Sequence, residues 1–221
     1  MLRKQLLATG HIYHIFNRGV NKGNIFFEEG DYKRFIRVAV HYLTSKRTFS
    51  HSGLIKTGSD TGSPKSDPVS EIEKKVQVLA YCLMPNHFHF LIKQIAHKGI
   101  TWYMQHLGNS YSHYVHTKHK RVGPLFEGRF KNVLVQSDEQ FIHVSRYIHL
   151  NPLVSGLVSG LDDYNWSSYL RYVNDIEDSL CDPEPVLALF KSKEDYKQFV
   201  LDQADYGREL EKIKHSTIDL E

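Results

Sequence analysis

Apolar residues recur along the first 160 residues with two different periods, and the changes of period divide the chain into predicted elements. Four short runs rich in aromatic and β-branched residues are typical of strands, and three longer runs have apolar residues three and four apart, as amphipathic helices do. The predicted strands are 9–19, 74–83, 87–95 and 132–136, and the predicted helices are 31–46, 98–118 and 138–150.

The order of these elements predicts the fold class. Strand, helix, strand, strand, helix, strand is the split βαβ pattern of a ferredoxin-like α+β domain. The second and third strands are joined only through Met84-Pro85-Asn86, which predicts an antiparallel pair. The last helix should stop at Asn151, because the residue before a proline disfavours the α region.

Two segments fall outside this pattern. Residues 48–71 are rich in Ser, Gly, Thr, Asp and Pro, which indicates a flexible insertion. Residues 161–221 are partly acidic, and beyond about residue 170 they contain no motif that we can interpret. We therefore predict a domain at 1–160 with an antiparallel sheet, followed by a C-terminal helical extension at 161–221.

Composition narrows the class of protein. The chain has 221 residues, 41% hydrophobic and 24% charged, which suits one sizeable globular domain. Its two cysteines lack disulfide or metal-site spacing and suit a reducing compartment. With no signal-like N-terminus and no apolar run of about 20 residues, we expect a cytoplasmic protein without a membrane partner. The net charge of +3 is modest, but residues 113–131 are strongly basic.

The predicted strand at 87–95 carries the first candidate chemistry. Successive side chains of a strand alternate between faces, so His87 and His89 share one face while Phe88 and Phe90 anchor the other. Two imidazoles on one face make half of a divalent metal site. A histidine-rich chain also places such a pair by chance on a wet strand face, so the motif alone does not establish a metal site.

The sequence around the pair closely resembles the signature of the HUH single-tyrosine transposases, and within them the REP-associated tyrosine transposases and their IS200-like insertion-sequence relatives. The similarity follows the expected order over residues 9–170. The segments that carry it are His14-Ile15-Phe16-Asn17-Arg18-Gly19, Met84-Pro85-Asn86-His87-Phe88-His89-Phe90-Leu91-Ile92, Gly123-Pro124-Leu125-Phe126-Glu127-Gly128-Arg129-Phe130-Lys131, Tyr147-Ile148-His149-Leu150-Asn151-Pro152, Gly156-Leu157-Val158 and Trp166-Ser167-Ser168-Tyr169.

The resemblance implies roles for two residues of the third helix. Tyr147 and Asn151 are four apart and therefore share one helical face. Tyr147 would attack a phosphodiester, and Asn151 would join His87 and His89 as a ligand of Mg or Mn. Tyr111 and Tyr114 are the competing nucleophiles, since their helix could also approach the strand.

The remaining histidines and the basic residues are assigned to faces and to contacts with DNA. His113, His116 and His119 form a series that we assign to a polar face in preference to a metal site, and at most one of His11 and His14 can face a given site. Glu127 could pair with Arg129 or Arg121, and Phe126 and Phe130 could stack on unpaired bases. The residues that we assign to DNA phosphates are Arg18, Lys22, Lys120, Arg121, Arg129 and Lys131.

The predicted function is therefore metal-dependent cleavage and rejoining of single-stranded DNA, at hairpin or palindromic sequences, through a 5′-phosphotyrosine. Its partner would be single-stranded or hairpin DNA and its location the cytoplasm, at the nucleoid. Two alternatives stay open, a catalytically silent DNA-hairpin-binding protein and a metal-dependent phosphodiesterase that uses water. The sequence does not decide between a monomer and a homodimer.

Overall fold

The computed structural model describes residues 7–44 and 74–204, so the predicted insertion at 48–71 lies outside the described residues. The four strands in this part of the chain are β1 (Ile12–Arg18), β2 (Val76–Met84), β3 (His87–Gln94) and β4 (Lys131–Val135). Within the described ranges, the six α-helices are α1 (Glu29–Thr44), α2 (Gly99–His119), α3 (Asp138–Val154), α4 (Tyr169–Val173), α5 (Glu184–Leu187) and α6 (Lys193–Leu201), and short 3-10 turns lie at Val20–Lys22 and Leu161–Asp163.

The four strands form one antiparallel sheet in the order β2-β3-β1-β4. This order confirms the predicted α+β fold with an antiparallel sheet. The turn at Pro85 and Asn86 joins β2 directly to β3, as the short connection predicted. Predicted and observed ends of the strands agree to within three residues.

Helices cover both faces of the sheet. On one face, α1 and α2 pack together over an aromatic core, in which the ring of Phe35 lies 5.5 Å from Phe88 and 6.2 Å from Phe90. On the other face, α3 packs against β2 and β3. The period-two alternation of β3 therefore divides phenylalanines and histidines between the two helical layers, as the sequence predicted.

The helix α3 does not end where the sequence predicted. It continues through Pro152 to Val154, so the expected stop at Asn151 is wrong. Proline cannot donate the backbone hydrogen bond that would reach Ile148. The side-chain amide of Asn151 lies 3.5 Å from that carbonyl and 2.7 Å from the carbonyl of Tyr147. These contacts and the bond from Ser155 N to Asn151 O (3.0 Å) support the helix across the proline.

Residues 161–204 lie against α3 and the outer edge of β2. Backbone bonds join Leu83 N to Trp166 O (2.8 Å) and Ser168 N to Tyr81 O (3.0 Å), which covers an otherwise exposed strand edge. The domain boundary at residue 160 stays a prediction. Among the described helices, none is long and apolar enough to cross a membrane.

The imidazole and tyrosine site

The register of the sheet builds a histidine cluster beneath α3. Arg18 pairs with His87 and Phe16 with His89, so these four side chains share one face of β1 and β3. His14 also projects from this face, and its ring stacks on that of His89 with centroids 5.1 Å apart. The rings of His87 and His89 are 5.0 Å apart. The sheet therefore brings three imidazoles together.

Tyr147 contacts this cluster from α3. Its ring meets those of His89 and His14 edge to face, at centroid distances of 5.4 and 5.7 Å, and the residue is 51% exposed. An exposed tyrosine beside imidazoles is open to a substrate approaching from solvent. Sequence reasoning predicted that Tyr147 would meet the histidine pair but did not identify His14, because only the strand register distinguishes His14 from His11.

Hydrogen bonds orient the two histidines among the predicted ligands. Asn86 Nδ2 donates to Lys22 O (3.1 Å), which turns its Oδ1 toward His87 Nδ1 at 2.6 Å. A carbonyl oxygen only accepts, so His87 carries its proton on Nδ1 and keeps a lone pair on Nε2. His89 Nδ1 lies 2.9 Å from His14 Nε2 and shares one hydrogen with it.

Burial keeps the cluster uncharged. It lowers the pKa of His14 to about 4 and that of His89 well below the ordinary value, with the charges of His14 and His87 adding to the effect. Burial and then the charge of Arg18 lower the pKa of His87 as well. At neutral pH these side chains are therefore neutral imidazoles, the form that coordinates metal ions.

The donor set fits a divalent ion in part. Metal-binding histidines usually engage one ring nitrogen in a hydrogen bond and ligate with the other, and both His87 and His89 engage Nδ1. Asn151 uses Nδ2 on the carbonyls of its own helix, which leaves Oδ1 as its ligand atom. Across residues 7–44 and 74–204, no group of three histidine, cysteine, aspartate or glutamate side chains is arranged to hold a metal.

The competing tyrosines lie elsewhere. Tyr111 is fully buried and donates to Ile25 O (2.7 Å), and Tyr114 donates to Asp31 Oδ1 (3.0 Å). Both project from α2, on the opposite side of the sheet from α3. Burial raises the pKa of both phenols. Among the three tyrosines, Tyr147 is the nucleophile candidate whose ring contacts His89 of the histidine pair and the neighbouring His14.

Five of the six basic residues assigned to DNA phosphates fall into two groups. Arg18 forms an ion pair with Glu127, so the predicted pairing of Glu127 with Arg129 or Arg121 is wrong. That hydrogen bond lowers the pKa of the Glu127 carboxyl, and the charges of Lys131 and Lys22 lower it further. Residues Arg18, Lys22 and Lys131 therefore gather around one carboxylate, at the end of β1 nearest His87.

The second group lies at the C-terminal end of α2. Arg121 donates to Asn24 O (3.3 Å), and its guanidinium lies 5.7 Å from the ring centre of Phe27. Lys120 caps the helix with a left-handed backbone, at φ 49°. His119, from the histidine series, contacts the carboxylate of the buried Asp31 at 3.0 Å. The sixth predicted cation, Arg129, is exposed in the loop before β4.

Gly19 fixes the loop that carries two of these cations. A Cβ on Gly19 would lie 2.0 Å from Gly23 O, so only glycine allows the 3-10 turn to fold back onto β1. Gly19 N also donates to Asn86 O (2.8 Å). The turn therefore holds Arg18 and Lys22 against the connection at Asn86, which leads into the strand that carries His87 and His89.

Comparison with known proteins agrees with this architecture. Residues 69–151, which include His87, His89, Tyr147 and Asn151, match the family model described as IS200-like transposase. The chain is similar in fold to a solved REP-associated tyrosine transposase bound to a REP hairpin, with a TM-score of 0.56 and 14% sequence identity over 82% of this chain and 93% of that chain. No curated protein matched the chain. The resemblance inferred from the motifs is thereby confirmed.

Proposed function

We propose that this protein cleaves and rejoins single-stranded DNA, with Tyr147 as nucleophile and a divalent Mg or Mn ion as cofactor. The observation that carries the proposal is the edge-to-face contact of an exposed tyrosine with two neutral imidazoles. The IS200-like family match over residues 69–151, which include His89 and Tyr147, supports the choice of a transposase-type reaction.

The side chains then have separate roles. His87 and His89 would hold the ion through Nε2, and Asn151 through Oδ1. His14 would be a positioning residue: when His89 holds the ion through Nε2, the hydrogen shared between His89 Nδ1 and His14 Nε2 stays on His89. The bound ion would polarise the scissile phosphate and stabilise charge on the leaving oxygen.

The reaction balances without an external energy source. Tyr147 Oη attacks phosphorus and gives up its proton, the new oxygen–phosphorus bond forms, and the bond from phosphorus to the 3′-oxygen breaks. The 3′-oxygen takes up a proton, so the products are a 5′-phosphotyrosine and a free 3′-hydroxyl. Attack of another 3′-hydroxyl on the phosphotyrosine reverses the step and rejoins the strand.

The substrate that we propose is single-stranded DNA beside a hairpin. The solved transposase of similar fold is bound to a REP hairpin, and both basic groups of this chain can contact phosphates in a salt-dependent way. The residues proposed for these contacts are Arg18, Lys22, Lys120, Arg121, Arg129 and Lys131. A cytoplasmic, nucleoid-associated location and either a monomer or a homodimer are consistent with this activity.

One assay tests the nucleophile. Purified protein is incubated with end-labelled hairpin DNA carrying single-stranded flanks, with Mn, with Mg or with chelator, and covalent adducts are resolved on a denaturing gel. We expect a metal-dependent adduct that Tyr147→Phe abolishes. Tyr114→Phe is the matched control, because it removes a phenol on the other side of the sheet and should leave the adduct unchanged.

Other outcomes would identify the alternatives. Binding without an adduct under any metal condition would indicate a catalytically silent hairpin-binding protein. Cleavage that survives Tyr147→Phe would refute the nucleophile assignment and favour attack by water or by another tyrosine. His87→Ala and His89→Ala test the metal site separately, since each should abolish the adduct while DNA binding persists.

A further inference from the structure

A cavity of about 580 Å³ lies between α2 and the loop at residues 126–130. This volume is in the range of small-ligand sites. Its wall includes Phe88 and Asn17, whose side chains point away from the histidine face. The cavity is therefore separate from the imidazole and tyrosine site, which lies across the sheet.

The lining combines aromatic rings with amide groups. Phe88, Phe126 and Phe130 supply the rings, and the ring of Phe126 meets that of Phe88 edge to face at 5.9 Å. Gln105 and Asn109 lie one turn apart on α2, and both are exposed. Aromatic faces that stack on a base and amides that bond to its edge are the usual means of holding an unpaired nucleobase.

A buried amide fixes the loop side of the cavity. Asn17 is 9% exposed, and its Nδ2 donates to Gly128 O (3.2 Å) while its Oδ1 accepts from Arg18 N (2.9 Å). The loop that carries Phe126 and Phe130 is therefore tied to the end of β1. A tied wall preserves the shape of the cavity before a ligand enters.

Gly108 is a further indication that something occupies this space. Glycine inside a helix destabilises it relative to alanine. A Cβ on Gly108 would have one neighbour within 4 Å, Phe126 Cε2 at 4.0 Å, so packing does not require glycine there. What the missing side chain provides is room in the cavity, directly opposite the Phe126 ring.

Charge and position favour nucleic acid as the ligand. Arg129 lines the cavity and Lys131 follows two residues later, in a segment already rich in positive charge. Phe88 lies between His87 and His89 in sequence, so the wall of the cavity and the proposed metal site belong to the same strand. A strand of DNA crossing this end of the sheet would pass both.

We propose that the cavity binds one unpaired base of the DNA substrate and thereby positions the strand for cleavage across the sheet. The phenylalanines would stack on the base, Gln105 and Asn109 would bond to its edge, and Arg129 would contact the adjoining phosphate. This inference rests on the proposed function for its substrate, and it adds a site that the cleavage chemistry does not use.

The test combines a substitution that fills the cavity with DNA probes that each lack one base. The probe is a fluorescent hairpin oligonucleotide with single-stranded flanks, prepared intact and with an abasic site at each unpaired position in turn, and affinities are measured by anisotropy. Gly108→Leu fills the cavity without altering a proposed catalytic or phosphate-contacting residue. Thr117→Leu is the control, because Thr117 lies exposed on the same helix outside the cavity. Circular dichroism confirms that each variant folds.

We expect one abasic position to weaken binding by the wild-type protein about fivefold to a hundredfold, the range for loss of a stacked base. The Gly108→Leu variant should bind the intact probe more weakly by a similar factor, and its affinity should no longer change when the base at that position is removed. The Thr117→Leu variant should bind every probe as the wild-type protein does. Unchanged affinity of Gly108→Leu, or equal weakening for all probes, would overturn the proposal.

Measuring covalent adducts on the same samples distinguishes failure of the base-binding proposal from failure of the cleavage proposal. An adduct without any abasic effect would refute the base-binding cavity and leave strand cleavage standing. An abasic effect that Gly108→Leu removes, without an adduct, would support the cavity and refute cleavage.

Discussion

Tyr196→Phe tests how the C-terminal residues hold the tyrosine helix in place. His149, on α3 two residues after Tyr147, is fully buried with Nδ1 2.7 Å from Tyr196 Oη and Nε2 2.8 Å from Ser168 Oγ. The Tyr196 hydroxyl in turn donates to Ser145 Oγ (3.1 Å). A histidine protonated on Nδ1 satisfies every partner in this chain of hydrogen bonds.

The expected cost follows from what the substitution leaves behind. Removing one hydroxyl deprives the buried Nδ1 proton of its acceptor, and a buried unsatisfied polar group costs about 1–3 kcal/mol. For a chain of this size, that is a decrease in Tm of about 2–12 °C. Thermal unfolding followed by circular dichroism at neutral pH measures it.

A double-mutant cycle refines the prediction. In a His149→Leu background no imidazole N–H is present that could lose its acceptor. Tyr196→Phe should therefore lower the free energy of unfolding clearly less than it does in the wild-type protein. An equal cost in both backgrounds would refute the hydrogen-bond argument and assign the effect to packing of the phenol ring. No change in Tm in either background would show that residues 161–204 do not hold α3 through this network.

Three further predictions concern pH, backbone space and charge. Burial lowers the pKa of His149 to about 3 from the ordinary 6.5. On acidification the unfolded chain therefore binds a proton at this residue before the folded protein does. The free energy of unfolding should consequently fall as pH drops from about 6.5 toward 3, by up to about 1.4 kcal/mol per pH unit for this residue. Urea denaturation should show a shallower pH slope in His149→Leu, and an unchanged slope would contradict burial as the cause. Gly19→Ala places a Cβ 2.0 Å from Gly23 O and should cost about 1–3 kcal/mol, whereas an unaltered urea midpoint would disprove that steric interpretation. Glu127→Gln releases Arg18 from its ion pair and should strengthen binding of single-stranded DNA. The slope of log affinity against log salt concentration should steepen by about 0.7 for each additional phosphate that the protein neutralises. Weaker binding would show that the ion pair itself forms the DNA-contacting surface.

Much of the fold and part of the site follow from local sequence. Period-two alternation alone places His87 and His89 on one face of β3, because side chains of a strand must alternate. Helical spacing alone places Tyr147 and Asn151 on one face of α3. The order of strands and helices, read with the short turn between β2 and β3, was enough to predict the sheet that the structure shows.

Local sequence failed where a competing contact lies far along the chain. Pro152 favours a helix stop, but the Asn151 amide and the packing of α3 against β2 and β3 carry the helix past it. Glu127 has several arginines within reach in sequence, and the pairing of β1 with the loop before β4 selects Arg18. The Asn151 amide acts locally, but the packing of α3 on the sheet and the choice of Arg18 depend on residues far along the chain.

The histidine pair shows the same division. That two imidazoles share a face is a property of one strand and was determined by the sequence. That His14 joins them, and that the Tyr147 ring meets those of His14 and His89 edge to face, depend on strand register and on the packing of α3. Residues 75 positions apart, such as His14 and His89, become neighbours only when the sheet forms, because pairing between distant strands is set by the whole fold rather than by either strand alone.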